Sequence, residues 1–201
     1  MTKIKLCGLS RACDITAANE LMPEYIGFVF ANKSKRFITP QKAYDLKKLL
    51  SSDIKAVGVF VNESPDTVAK LLNCGLIDIA QLHGSEDDSY IINLRKLTDK
   101  PVIKAFRIGN ENDADKAEKS AADYVLLDSG AGTGNVFDWN LIRSIKRPYF
   151  LAGGLNVDNV ATAVKALGPF AVDVSSGIET DGLKDKEKMA AFVAAVREGE
   201  N

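Results

Sequence analysis

The chain has little cysteine and almost no histidine. Cys7, Cys13 and Cys74 are an odd number with no C-x-x-C pair, and His83 stands alone. Neither a disulfide framework nor a zinc-type metal cluster is therefore expected. Charge of one sign is also missing. Twenty-six Lys and Arg against 27 Asp and Glu are spread along the chain, which offers no basic stripe to nucleic acid or to an anionic membrane. No apolar run approaches a membrane span, and the first residues lack the basic-then-apolar pattern of a secretory signal. Low-complexity and linker-like stretches are absent as well. A soluble, reduced, cytoplasmic protein without nucleic-acid or membrane partners is the expectation.

What is present is a regular alternation. A hydrophobic share of 46% in 201 residues is enough to bury one large core. Short β-branched or aromatic runs read as strands at 3–7, 25–30, 55–60, 78–83, 101–107, 123–128, 148–153 and 170–176. Helical patterns separate them. One follows Ser64 or Asp66 and stops at Gly75; another has Asp158 near its start and Gly168 as its stop. "DWNLIRSIK" and "DKEKMAAFVAAVREG" add two more. Strands alternating with helices imply parallel pairing through right-handed crossovers. Eight such units spread over residues 1–201 fit an α/β fold of one domain, a closed (β/α)8 TIM barrel. An open doubly wound sheet is the rival, but "CGLSR" is not its glycine-rich first turn.

Barrels of this kind carry their chemistry at the C-terminal strand ends. There the chain places Cys7, His83, Arg107, Asp128, the pair Gly153 and Gly154, and Ser175 to Gly177. A thiol, an imidazole, a guanidinium and a carboxylate around one rim favour an enzyme. The glycines and hydroxyls of "AGGL" and "SSGIE" suit an anion, because backbone N–H groups approach a ligand closely there. "GAGTGN" lacks the third glycine of a dinucleotide fingerprint and reads as a mobile loop, 129–136, over the site. Strand alternation sends Cys7 inward with Lys5, His83 with Gln81, and Ser175 with Asp173. In a closed barrel the first and last strands are neighbours, so Lys5 and Asp173 are expected to pair one pleat below the rim. A lysine there favours the thiolate of Cys7.

Taken in order, "KLCGL", "GFVF…SKR", "AVGVFVN", "QLHG", "KAFR", "LLDS…GTG…FDW", "LAGGL…NV" and "VDVSSGIE…G.KD" resemble the phosphoribosylanthranilate isomerase family of tryptophan biosynthesis. The resemblance runs from Lys5 to Asp185. It implies an Amadori rearrangement of N-(5-phosphoribosyl)anthranilate to the ring-opened carboxyphenylamino-deoxyribulose 5-phosphate, without metal or other cofactor. By the same resemblance Cys7 is the general base and Asp128 the general acid. Arg36 then holds the anthranilate carboxylate, and Gly153, Gly154, Ser176 and Gly177 hold the phosphate of the phosphosugar. His83 either touches substrate or orients its neighbours. Cys13, Cys74, Phe137 and Trp139 receive structural readings, with Asp138 capping the helix that "FDW" opens. Oligomeric state is left open between monomer and homodimer. The rival readings are another phosphosugar isomerase, which usually relies on two aspartates, and a flavin- or phosphate-binding barrel, which needs neither Cys7 nor Asp128.

Overall fold

The computed structural model describes residues 1–128 and 139–199. Eight parallel strands close on themselves in chain order. They are β1 (Lys3–Cys7), β2 (Tyr25–Val29), β3 (Lys55–Phe60), β4 (Ile79–Leu82), β5 (Val102–Arg107), β6 (Tyr124–Asp128), β7 (Tyr149–Leu151) and β8 (Ala171–Val174). Closure is made where β1 pairs with β8, with Lys5 opposite Asp173. The (β/α)8 reading therefore holds and the open sheet does not. The helices are α1 (Ala12–Leu21), α2 (Pro40–Lys47), α3 (Pro65–Asn73), α4 (Asp88–Arg95), α5 (Glu111–Lys119), α6 (Val157–Leu167) and α7 (Lys186–Glu198). No helix among the described residues is long and apolar enough to cross a membrane.

Local chemistry explains the helix starts. Thr39 and Ser64 accept hydrogen bonds from Lys42 N and Thr67 N, each with proline at the first turn, which lacks the donor that would otherwise be orphaned. Asn156 caps α6, Asp158 lies in its first turn as expected, and Gly168 ends it in the left-handed region. One expected helix is absent. After β6, Trp139–Ile142 form only a 3₁₀ turn. Trp139, Ile142 and Ile145 recur every third residue, and the bonds Arg143 N to Asn140 O and Ile145 N to Ile142 O span three residues. The three-residue bonds are those of 3₁₀ geometry, while the i, i+3 spacing would also suit one face of an α-helix. Trp139 packs on the outer core as expected. Phe137, Asp138 and the loop 129–136 lie outside the described residues.

Alternation along the strands divides the interior. One set of side chains packs outward against the helices; the other fills the barrel. The lower lumen is closed by aromatics, with Phe150 5.4 Å from Tyr25 and 5.7 Å from Phe170, centroid to centroid. Above that floor, Cys7, Val29 and Val59 form the layer beneath the mouth. The plugged floor leaves the C-terminal end as the open one.

Two short strands were not anticipated. β9 (Glu179–Thr180) and β10 (Leu183–Lys184) form an antiparallel hairpin between β8 and α7.

Candidate active site

A cavity of about 430 Å³ opens at the C-terminal ends of the strands. Cys7, Arg36, His83, Asp128, Gly153, Gly154 and Ser176 all line it. Gly177 sits behind this lining: a Cβ there would collide with the Leu155 carbonyl oxygen, so its lack of a side chain lets the two glycine loops pack together. Cys13 and Cys74 are exposed and lie outside the cavity lining. Among the described residues, no group of three or more His, Cys, Asp or Glu side chains is placed to hold a metal ion.

Cys7 ends β1 with 7% of its surface exposed. Its neighbour across the ladder is Gly27, where a Cβ would stand 2.6 Å from the thiol sulfur. Glycine is thus what gives the thiol its room. One pleat below, Lys5 is fully buried and its Nζ lies 2.9 Å from Asp173 Oδ1. Burial opposes the Lys5 ammonium, but Asp173 and Cys7 outweigh it and raise its pKa. For Cys7 the balance falls the other way. Burial pushes the thiol up, Lys5 pulls it down, and Asp173 pushes it up again, with a net rise. Lys5 therefore favours the thiolate, as its position implied, but desolvation dominates.

Asp128 ends β6, three steps from β1 around the ring. His83 Nε2 lies 3.3 Å from Asp128 Oδ2, and His83 Nδ1 lies 2.9 Å from Gln81 Nε2. The Gln81 contact fixes the imidazole ring so that Nε2 faces Asp128. His83 both lines the cavity and faces Asp128. Gln81 is 1% exposed, and its Oε1 has no hydrogen-bond partner among the described residues. The turn after His83 is fixed by Glu86, which accepts from Asn62 N at 2.6 Å and Gly84 N at 2.8 Å. Lys104 closes this buried cluster at 3.1 Å from Glu86.

Arg36 reaches the cavity from the loop after β2. Its Nε and Nη2 donate to the two carboxylate oxygens of Glu179 at 2.6 and 2.8 Å, and this pairing raises the Arg36 pKa. Glu179 also accepts from Lys184 Nζ at 2.6 Å. Burial acts against the Glu179 carboxylate, yet Arg36 and Lys184 hold its pKa below the usual carboxylate value. Lys184 donates further to Ser175 O at 2.8 Å, and Ser175 Oγ donates to Cys7 O at 3.2 Å. Sequence reasoning gave Glu179 and Lys184 no role, although both stand in motifs it quoted.

The two glycine loops at the mouth are shaped by their backbone. Gly153 and Gly154 have φ of 84° and 69°, a region that L side chains rarely adopt. The Gly154 carbonyl is tied by Asn159 Nδ2 at 2.9 Å, which orients the loop at the start of α6. Ser176 opens the 3₁₀ turn Ser176–Ile178 after β8.

A thiol and a carboxylic acid on well-separated strands, with glycine loops at the same mouth, define a (β/α)8 enzyme suited to acid–base chemistry on a small phosphorylated molecule. Residues 4–195 match the model of the N-(5'-phosphoribosyl)anthranilate (PRA) isomerase family, and the chain belongs to that family. It is 45% identical to N-(5'-phosphoribosyl)anthranilate isomerase of Endomicrobium trichonymphae, over 98% of this chain and 99% of the other. The crystal structure of phosphoribosyl anthranilate isomerase from Thermotoga maritima superposes with a TM-score of 0.89 at 35% identity, covering 98% and 99% of the two chains. A crystal structure of the same kind of enzyme with reduced 1-(o-carboxyphenylamino)-1-deoxyribulose 5-phosphate gives 0.86, also at 35% identity and with 98% and 99% covered.

Proposed function

We propose that this isomerase of tryptophan biosynthesis opens and rearranges N-(5-phosphoribosyl)anthranilate with Asp128 as acid and Cys7 as base. Asp128 delivers its proton to the furanose ring oxygen, the C1–O bond breaks, and the nitrogen lone pair forms a protonated Schiff base. The Cys7 thiolate then removes the C2 proton. The C2–H electron pair becomes the C1–C2 double bond of an enolamine, which tautomerises to the ketone. Loss of a proton from Cys7 is made easier by the step before it, because the protonated Schiff base adds a cation to Lys5 in opposing desolvation.

The observation that carries this reading is the placement of Cys7 and Asp128 on one cavity wall system, three strands apart. That separation leaves room for a sugar between acid and base. His83 orients Asp128, Arg36 receives the anthranilate carboxylate, and the loops at Gly153, Gly154 and Ser176, backed by Gly177, hold the phosphate. A cytoplasmic location fits an enzyme of tryptophan biosynthesis.

Purified protein with a chelator present, given N-(5-phosphoribosyl)anthranilate, tests the activity. Decay of substrate fluorescence without added metal or flavin is expected. No decay above the spontaneous rate contradicts the activity.

A further inference from the structure

Arg36 reaches the cavity already held from two sides. Gly8, at φ +83°, clears the way for its stem, since a Cβ there would stand 2.5 Å from Arg36 Cδ. Glu179 takes the side edge of the guanidinium through Nε and Nη2. Behind Glu179 stands Lys184, whose side chain is 2% exposed and whose backbone lies directly opposite Glu179 in the β9–β10 ladder. The hairpin therefore places both the carboxylate and the lysine that anchors it.

We propose that Glu179 is a specificity-determining positioning residue, which holds Arg36 side-on so that its end-on pair of N–H groups faces the carboxylate of the substrate. Side-on pairing occupies two of the five guanidinium donors and leaves three, one on Nη2 and two on Nη1, so that one N–H from each Nη can make a second two-pronged contact. Two cations and one carboxylate leave the cluster with a net positive charge, which an anionic group completes. Glu179 is only 10% exposed and serves two cations, so releasing Arg36 would strip a buried carboxylate of a strong partner. The tie therefore persists when substrate enters. The gain is that a long, rotamer-rich side chain is ordered before binding and not during it.

This proposal rests on the reading of Arg36 as the carboxylate contact, and the experiment separates the two. Wild type, Glu179→Gln, Arg36→Met and the double variant are titrated with reduced 1-(o-carboxyphenylamino)-1-deoxyribulose 5-phosphate and with the matching analogue made from aniline, which lacks the carboxylate. Glu179→Gln is expected to weaken the carboxylate analogue by about 5- to 20-fold, part of the loss of a charge-assisted contact. It leaves the aniline analogue unchanged and adds nothing on the Arg36→Met background. In turnover the same variant raises KM with kcat nearly retained. If Gln at 179 unfolds the hairpin, Glu179→Asp keeps the charge for Lys184 but draws the fork back, and the same selective loss is expected. Equal or tighter binding of the carboxylate analogue by Glu179→Gln, with Arg36→Met weakened, makes Glu179 a competitor of substrate and overturns the proposal alone. Unchanged binding by Arg36→Met overturns the reading of Arg36, and the proposal with it.

Discussion

His83 Nε2 sits 3.3 Å from Asp128 Oδ2, and Gln81 holds the opposite ring nitrogen at 2.9 Å. The pair makes Asp128 a directed carboxyl at the rim. Asp128→Asn keeps the shape and a hydrogen bond to His83 but has no proton to transfer. Turnover is expected to fall by about 10²-fold or more, the scale of losing a general acid, with little change in melting temperature. A variant that melts early yet stays active would make Asp128 a structural residue.

Lys5 and Asp173 are a buried ion pair 2.9 Å apart, with 0% and 9% of their side chains exposed. Lys5→Met leaves Asp173 without its counter-charge and is expected to cost about 3–5 kcal/mol in urea unfolding. Lys5→Met with Asp173→Leu removes both charges and should recover most of that loss, because well-packed apolar replacements are often neutral. Equal stability of Lys5→Met and wild type would show that the pair contributes nothing.

The Cys7 thiol is held above its ordinary value of 9.0 by burial, against the pull of Lys5. Alkylation of Cys7 in the ligand-free enzyme should accordingly rise along an alkaline limb beyond that of a free thiol. The linked effect on stability has a definite sign. The folded chain binds this proton more tightly than the unfolded chain, so the contribution is complete below pH 9.0 and is lost as pH rises through the folded value. Cys7→Ser should flatten that part of the alkaline decline in melting temperature. A Cys7 alkylation limb at or below that of a free thiol contradicts the assignment.

Arg36→Met should weaken the reduced product analogue by about 1.5–3 kcal/mol, the range for a hydrogen bond to a charged group. Inorganic phosphate, whose proposed contacts at Gly154 and Ser176 are untouched, should bind both proteins alike. Arg36→Lys restores charge without the fork and should rescue only partly. Equal calorimetric affinity for the analogue in all three proteins would return Arg36 to a structural role.

Much of this site was legible in the chain because strand alternation and barrel closure leave few choices. Lys5 and Asp173 were expected to meet, and they face each other in register. His83 was expected on the same side as Gln81, and the two are hydrogen-bonded. What escaped was set by longer-range packing or by a competing local signal. Whether Lys5 or desolvation governs Cys7 depends on how completely the thiol is buried, which no motif reports. The partner of Arg36 comes from residue 179, far along the chain. Yet its hairpin left a trace: Asp181 and Gly182, both at positive φ, form the Asp-Gly turn that favours tight hairpins. The α-helical reading of "DWNLIRSIK" failed although Trp139, Leu141, Ile142 and Ile145 would suit one face of an α-helix; the bonds there close over three residues, which no motif in the chain reports.

The central claim is that Cys7 takes the C2 proton, and one measurement addresses it most directly: steady-state turnover of Cys7→Ser beside titration of the same variant with the reduced product analogue. Serine nearly fills the thiol's space next to Gly27 but is far too weak a base at neutral pH. Turnover lowered by about 10²-fold or more, with analogue affinity unchanged, is the expected result. Turnover near that of wild type would contradict the role given to Cys7.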